Sequence, residues 1–77
     1  MDTKHIRAFL VLAEELHFGR AAERLHMTQP PLSRLIRGLE SDMSAQLFER
    51  STRSVRLTPA GQALVEPARD ILMSHRL

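Results

Sequence analysis

A helix that begins with two prolines constrains this chain more than any other segment. Thr28 is a good helix N-cap, so Gln29, Pro30 and Pro31 occupy the first three helical positions, whose N–H groups have no partner within the helix. Prolines there cost no helical hydrogen bond, and they stiffen the helix entrance. An apolar stripe with helical spacing follows, formed by Leu32, Leu35, Ile36, Leu39 and Met43. The opposite arc is small, hydroxylated or cationic, so one face is predicted to join a core and the other to stay outside it.

Two shorter helical segments precede this helix. Residues 3–16 place apolar side chains at helical spacing, and residues 20–26 do the same with Ala21 and Ala22 facing inward. Gly19 lies between them, as a helix stop or as a neutral N-cap for the second segment. A tight turn at His26 and Met27 would then lead into the proline-started helix.

Strand-like residues follow it. Residues 47–50 and 55–57 are typical of two short strands, and the polar residues 51–54 connect them as a hairpin. Thr58-Pro59 is a strong helix start, and the fourth helix carries an apolar stripe that Pro67 is expected to kink. We expect this helix to continue in a longer parent protein. The order of elements predicts a mainly α fold, a winged helix-turn-helix with a three-helix core and a two-stranded wing.

Positive charge is concentrated in two windows. Residues 24–39 and 50–65 each contain three arginines and no acidic residue, whereas the other 45 residues contain five bases and nine acids. The net charge is therefore only +2, but its separation favours a face for an anionic partner.

The composition excludes several classes of protein. There is no cysteine, which excludes a disulfide scaffold and fits a reducing compartment. The longest apolar run, Ala8–Ala13, is far shorter than the ~20 residues of a membrane span. The histidines stand at positions 5, 17, 26 and 75, without the spacing of a helical metal site. Ser33 and His26 have no acid in their window, so we expect neither an enzyme nor a metal centre.

Several motifs, in order and at the expected distances, resemble the LysR-type transcriptional regulators. The resemblance covers nearly the whole chain and implies a bacterial transcription factor without enzymatic activity. The motifs are Ala21-Ala22-Glu23-Arg24-Leu25-His26-Met27-Thr28-Gln29-Pro30-Pro31-Leu32-Ser33-Arg34, Leu39-Glu40, Gln46-Leu47-Phe48-Glu49-Arg50 and Leu57-Thr58-Pro59-Ala60-Gly61.

The resemblance also implies an architecture and partners. Residues 1–58 would be the winged DNA-binding domain, with the helix-turn-helix at about 18–37 and the wing at about 47–57, and residues 59–77 would begin a linker helix for dimerisation. Such a protein would bind an interrupted palindrome of double-stranded operator DNA as a homodimer or homotetramer, in the cytoplasm at the nucleoid and without a membrane partner. This fragment would need no cofactor, and a small-molecule inducer would bind a C-terminal domain that is absent here.

The expected DNA contacts follow from the same match. Gln29, Pro30, Ser33 and Arg34 match the positions through which the family reads the major groove. Glutamine pairs well with adenine, and arginine with guanine. Arg53 at the hairpin tip would enter the minor groove, where cationic side chains favour A·T tracts. The complete expected set is Thr28, Gln29, Pro30, Pro31, Ser33, Arg34, Arg37 and Arg53.

Some of these residues have a second interpretation. Thr28 could cap its helix instead of donating to phosphate, and Arg53 could be a solvated arginine. Arg37 could pair with Glu40 or contact Ser41 rather than DNA. Arg50, next to the wing tip, could pair with an acid within the domain. For the whole chain, the alternative is a helical protein-interaction module whose basic windows meet an acidic partner.

The sequence departs from the family pattern at helix ends. Ser44 stands where glycine usually closes the third helix in a left-handed turn, which serine can adopt with some strain. Met43 replaces the usual leucine and should keep its apolar contact. Gly38 replaces a longer polar residue, and Gly19 a hydroxyl N-cap. These departures concern helix boundaries and leave the first two turns of the third helix unchanged.

Overall fold

Four helices and one hairpin are formed by residues 2–74, the part of the chain that the computed structural model describes. The predicted winged helix-turn-helix is confirmed, and none of the helices in this part is long and apolar enough to cross a membrane. The elements are α1 (Thr3–Glu15), α2 (Phe18–Arg24), α3 (Gln29–Met43), β1 (Phe48–Arg50), β2 (Val55–Leu57) and α4 (Pro59–Ser74).

The core lies where α1 packs against the other three helices and the start of the hairpin. Phe9 of α1 and Phe48 of β1 are fully buried, and their ring centroids lie 5.5 Å apart. The apolar stripe of α3 faces this core as predicted, with Leu32, Ile36 and Leu39 fully buried. Burial of these side chains supplies the main driving force for folding and fixes which face of α3 points outward.

Two apolar residues at helix ends do not join the core. Met43, the last residue of α3, is 38% exposed and is not one of the buried core residues. The helix predicted over residues 3–16 ends at Glu15, and Leu16 follows it in a left-handed conformation (φ 50°) and is 40% exposed.

The boundaries of α2 also differ from the prediction. The helix begins at Phe18, and Gly19 lies inside it rather than ending or capping a helix. His17 is the N-cap, because its Nδ1 atom accepts a hydrogen bond from the Arg20 N–H at 3.1 Å. A histidine is not among the favoured capping residues, so the sequence pattern gave no sign of this cap. His26 takes a left-handed conformation (φ 55°) and ends the helix in the predicted tight turn.

The expected left-handed turn at Ser44 is confirmed. Its φ is 51°, and the next N–H, of Ala45, donates to the Glu40 carbonyl at 3.1 Å, which closes α3 in a Schellman arrangement. The antiparallel hairpin pairs Phe48 with Leu57 and Arg50 with Val55. It is one residue shorter than predicted because the Leu47 N–H donates to the Glu40 carboxylate, not to a strand partner.

The fourth helix begins as predicted. The Thr58 hydroxyl accepts the Gly61 N–H at 3.0 Å, and α4 runs through Pro67. Gly61 is buried against the backbone of Leu47: a Cβ atom at position 61 would lie 2.2 Å from the Leu47 carbonyl oxygen. The last residues of the predicted linker segment, 75–77, lie outside the described residues.

Replacing Gly61 by alanine should destabilise the fold. The new methyl group overlaps backbone, which cannot rotate away, so we expect a loss of about 2–3 kcal/mol or more in the free energy of unfolding. Gly38→Ala is the matched control, because its Cβ would lie 3.5 Å from the nearest atom, His5 Nε2. It should stabilise α3 by up to about 1 kcal/mol. Denaturant unfolding measures both, and equal effects would contradict the close approach at Gly61.

Candidate nucleic-acid interface

The outer face of α3 brings together five of the eight predicted site residues. At about 100° per residue they span about 140° of the helix circumference, opposite the buried stripe. The five are Gln29, Pro30, Ser33, Arg34 and Arg37, and all are exposed or half-buried. Pro31 lies outside this arc and is half-buried, and Arg53 lies on the hairpin rather than on α3.

Few polar groups at the start of α3 form hydrogen bonds within the domain. Thr28 has the extended backbone of an N-cap residue (φ −88°, ψ 169°), but its side chain makes no capping hydrogen bond. The prediction that its hydroxyl caps the helix is therefore wrong, and the hydroxyl is exposed at the positive end of the helix dipole. Pro30 and Pro31 have no N–H to satisfy.

Three arginines of the predicted set are not used inside the domain. Within residues 2–74, no ion pair includes Arg34, Arg37 or Arg53, and all three are exposed. The alternative that Arg37 pairs with Glu40 is wrong, because the Glu40 carboxylate is engaged by other groups. An exposed arginine without an internal partner is available to an external anion.

The hairpin tip has an ordered backbone. The Ser51 hydroxyl accepts the N–H groups of Arg53 and Ser54, at 3.2 and 3.1 Å, and the Ser51 N–H donates to the Ser54 carbonyl at 2.9 Å. These local hydrogen bonds close the turn. The backbone at Arg53 is thereby fixed, while the residue itself is exposed.

Two other arginines of the basic windows are structural. Arg24 hydrogen-bonds Glu14 and Glu15 of α1, at 2.8 and 3.0 Å, and these carboxylates raise the pKa of its guanidinium. The Arg50 guanidinium lies 3.7 Å from a Glu40 carboxylate oxygen and 4.9 Å from the centroid of the Phe18 ring. The expectation that Arg50 could pair within the domain is confirmed. Each basic window therefore offers less free charge than its three arginines suggest.

The sequence and the fold match known proteins. Residues 3–62 match the family described as bacterial regulatory helix-turn-helix protein, lysR family. The chain is 56% identical over 73 residues to the HTH-type transcriptional regulator XapR of Escherichia coli. This alignment covers 95% of the chain and 25% of XapR. ShiR of Corynebacterium glutamicum, also an HTH-type transcriptional regulator, is 54% identical over 74 residues, with coverage of 96% and 25%.

The chain belongs to the LysR family of bacterial helix-turn-helix regulators.

Solved structures of LysR-type domains have the same fold. The crystal structure of a CbnR DBD–DNA complex superposes with a TM-score of 0.93 at 42% identity, covering 99% of this chain and 88% of that one. The BenM DBD in complex with catB site 1 DNA gives 0.93 at 39% identity, with coverage of 99% and 84%. The LysR-type domain described here spans about a quarter of the length of XapR and ShiR.

The matched family and both of these relatives are described as helix-turn-helix regulators, not as enzymes. Among residues 2–74, no group of three His, Cys, Asp or Glu side chains is arranged to hold a metal ion. Two of the histidines have structural roles: His17 caps α2, and His5 hydrogen-bonds Asp2 at the start of α1. His75 lies outside the described residues.

Sequence reasoning missed the role of Glu40. Its Oε2 atom accepts the N–H groups of Leu47 and Phe48, at 2.8 and 3.2 Å, and its Oε1 atom faces Arg50. The residue lies in one of the matched motifs, Leu39-Glu40, but its main partners are backbone groups seven and eight residues away. Nothing in their side chains identifies them as its partners.

We expect the free and the structural arginines to differ in their effect on stability. Arg50→Met leaves the half-buried Glu40 carboxylate without its cation, which should cost roughly 1–3 kcal/mol of unfolding free energy. Arg37→Met removes an exposed arginine without an internal partner and should change it by less than about 0.5 kcal/mol. Urea unfolding of both variants measures the difference. An Arg37 variant as unstable as the Arg50 variant would contradict this assignment.

Proposed function

We propose that this LysR-type domain binds double-stranded operator DNA in a sequence-specific manner, with the outer face of α3 in the major groove. The observation that carries the proposal is the position of three exposed arginines without an internal ion pair, Arg34 and Arg37 on the outer face of α3 and Arg53 at the hairpin tip. The likeness to the CbnR and BenM domains, which were crystallised with DNA, supports it.

The side chains on the outer face suit readout of base edges. Arg34 can donate two hydrogen bonds to guanine O6 and N7, and Gln29 can pair with adenine. Ser33 can bond to a base or a phosphate, and Pro30 can contact a thymine methyl group. These groups lie in the first two turns of α3, the part of a recognition helix that reaches the bases.

The remaining predicted residues would contact the DNA backbone or the minor groove. Thr28, whose hydroxyl makes no capping hydrogen bond, would bind a phosphate, and so would Arg37, farther along the outer face. Pro31 would pack beside the DNA strand. Arg53 would enter the minor groove from the hairpin tip, favouring A·T-rich flanks. Phosphate contacts would give the affinity a strong dependence on salt.

The proposal extends to the whole regulator. Helix α4 would begin the linker that pairs two copies in a dimer or tetramer on an interrupted palindrome. It has exposed apolar side chains in Ile71 and Met73, which a partner helix could cover. A small-molecule inducer would bind outside this domain, which itself needs no cofactor, and the regulator would act in the cytoplasm at the nucleoid.

Duplex titration at several salt concentrations tests the proposed function. A site selected from a random pool should bind more tightly than random duplexes, and log K should fall with log salt by about 0.9 for each neutralised phosphate. Weak binding to every polyanion, without preference for the selected site, would instead support the protein-interaction alternative.

Arg34→Ala should lower affinity for the selected site by about 1–3 kcal/mol and relax the base preference at one position. The reason is that its bidentate contact, unlike a phosphate contact, is specific for guanine. Arg69→Ala removes the same charge from α4, where Arg69 pairs with Glu66, and serves as the control. Fluorescence anisotropy on single-base variants of the site measures both. Equal weakening of cognate and random DNA by Arg34→Ala would make Arg34 a phosphate contact only.

A further inference from the structure

The start of the hairpin is held from two sides. We call residues 46–48 the wing base. On one side, both N–H groups of Leu47 and Phe48 donate to a single carboxylate oxygen of Glu40, which belongs to α3. On the other side, the Leu47 carbonyl accepts the Thr58 N–H at 3.0 Å, and the backbone of Gly61 packs directly against it. The Leu47 peptide is therefore fixed between α3 and α4.

A second contact ties the strand itself to the helices. The other carboxylate oxygen of Glu40 faces the Arg50 guanidinium at 3.7 Å, and this guanidinium lies over the Phe18 ring of α2. Arg50 therefore joins the far end of β1 to both α2 and α3. The Glu40 side chain is 15% exposed and that of Arg50 is 33% exposed, so solvent screens this network less than it screens a surface ion pair.

These contacts fix the distance between the two proposed DNA-contacting surfaces. Glu40 is less than one turn beyond Arg37 on α3, and Arg50 is three residues before Arg53 on the hairpin. The backbone at Arg53 is itself fixed by the Ser51 turn. If two surfaces of one molecule bind one duplex, holding them at the right separation before binding avoids the entropic cost of arranging them during binding.

We infer that Glu40 and Arg50 are positioning residues, which hold the wing at a fixed offset from α3 so that Arg53 and the outer face of α3 engage one duplex together. Neither residue needs to touch DNA for this role. The inference deepens the proposed function and rests on it.

The experiment compares two duplexes that share the selected core site and differ only in A·T-rich or G·C-rich flanks. We define the flank ratio as the dissociation constant for the duplex with G·C flanks divided by that for the duplex with A·T flanks. Wild-type protein should prefer the A·T flanks and give a ratio above one, and Arg53→Ala should bring the ratio close to one. Glu40→Gln removes the charge that faces Arg50, but its amide oxygen can still accept from the wing base. We expect Glu40→Gln to lower the flank ratio toward that of Arg53→Ala while base preference within the core site is retained.

Glu49→Gln is the matched control. Glu49 lies on β1 next to Arg50, and its substitution removes the same charge as Glu40→Gln. Its contact with Arg56 is 4.0 Å long, however, and both side chains are exposed. Each substitution removes one negative charge from the wing region, so both should strengthen binding nonspecifically, and only Glu40→Gln should change the flank ratio. Phe18→Leu, which removes the ring under Arg50 and keeps an apolar side chain, should lower the flank ratio as well.

A double variant separates positioning from general destabilisation. Glu40→Gln combined with Arg53→Ala should lower the flank ratio no further than Arg53→Ala alone, since both act through the same contact. All variants are compared at a temperature where thermal unfolding shows them folded. An unchanged flank ratio in Glu40→Gln would overturn the inference, and so would a wild-type protein that binds its site without regard to flanks. Failure of the wild-type protein to prefer any selected site would instead overturn the proposed function.

Discussion

The domain depends on one constraint: α3 must be a core helix on one side and an open surface on the other. Leu32, Ile36 and Leu39 are buried without residual exposure, so the rotation of the helix about its axis is fixed by packing. The polar and cationic side chains of the opposite arc are thereby directed outward, whatever partner they meet. A change that rotated α3 would have to expose part of this stripe at about 25 cal/mol per Å².

The second level of organisation is electrostatic. The domain uses some of its charges internally: Arg24 joins α2 to two acids of α1, Arg20 contacts Glu15, and Arg50 meets Glu40. The exposed pairs of Arg24 and Arg20 add little stability each. Their more important effect is on the surface potential, because they neutralise arginines away from the outer face of α3. Within the two basic windows of the described residues, the arginines without an internal ion pair are Arg34, Arg37 and Arg53.

Much of the fold could be predicted from local signals. The proline-started helix, the Thr58-Pro59 start of α4 and the left-handed turn at Ser44 each depend on residues close together in sequence. The features that escaped prediction depend on contacts between distant residues or on unusual choices of residue. His17 replaces a conventional N-cap, so α2 begins two residues earlier than predicted, at Phe18, and Gly19 lies inside the helix. Thr28 has the right residue type and backbone for a cap but makes no capping hydrogen bond.

The same distinction applies to the candidate site. Most of its residues were identifiable because they lie close together at the start of one helix and match a family motif. The division of the arginines into free and structural ones could not be identified from the sequence. Arg24 pairs with an acid ten positions away, and the partner of Arg50, Glu40, also binds backbone groups of the wing base. Such pairings are products of the tertiary fold.

The most direct test of the central claim is an NMR titration of the domain with a duplex selected from a random pool. If the outer face of α3 and the hairpin tip form the DNA interface, the largest amide shift changes should occur at residues 28–37 and 51–54. Changes on α4 should be small, and a random duplex should need a higher concentration to produce the same pattern. Shift changes centred on α1 and α4, or the same response to any polyanion, would contradict the account.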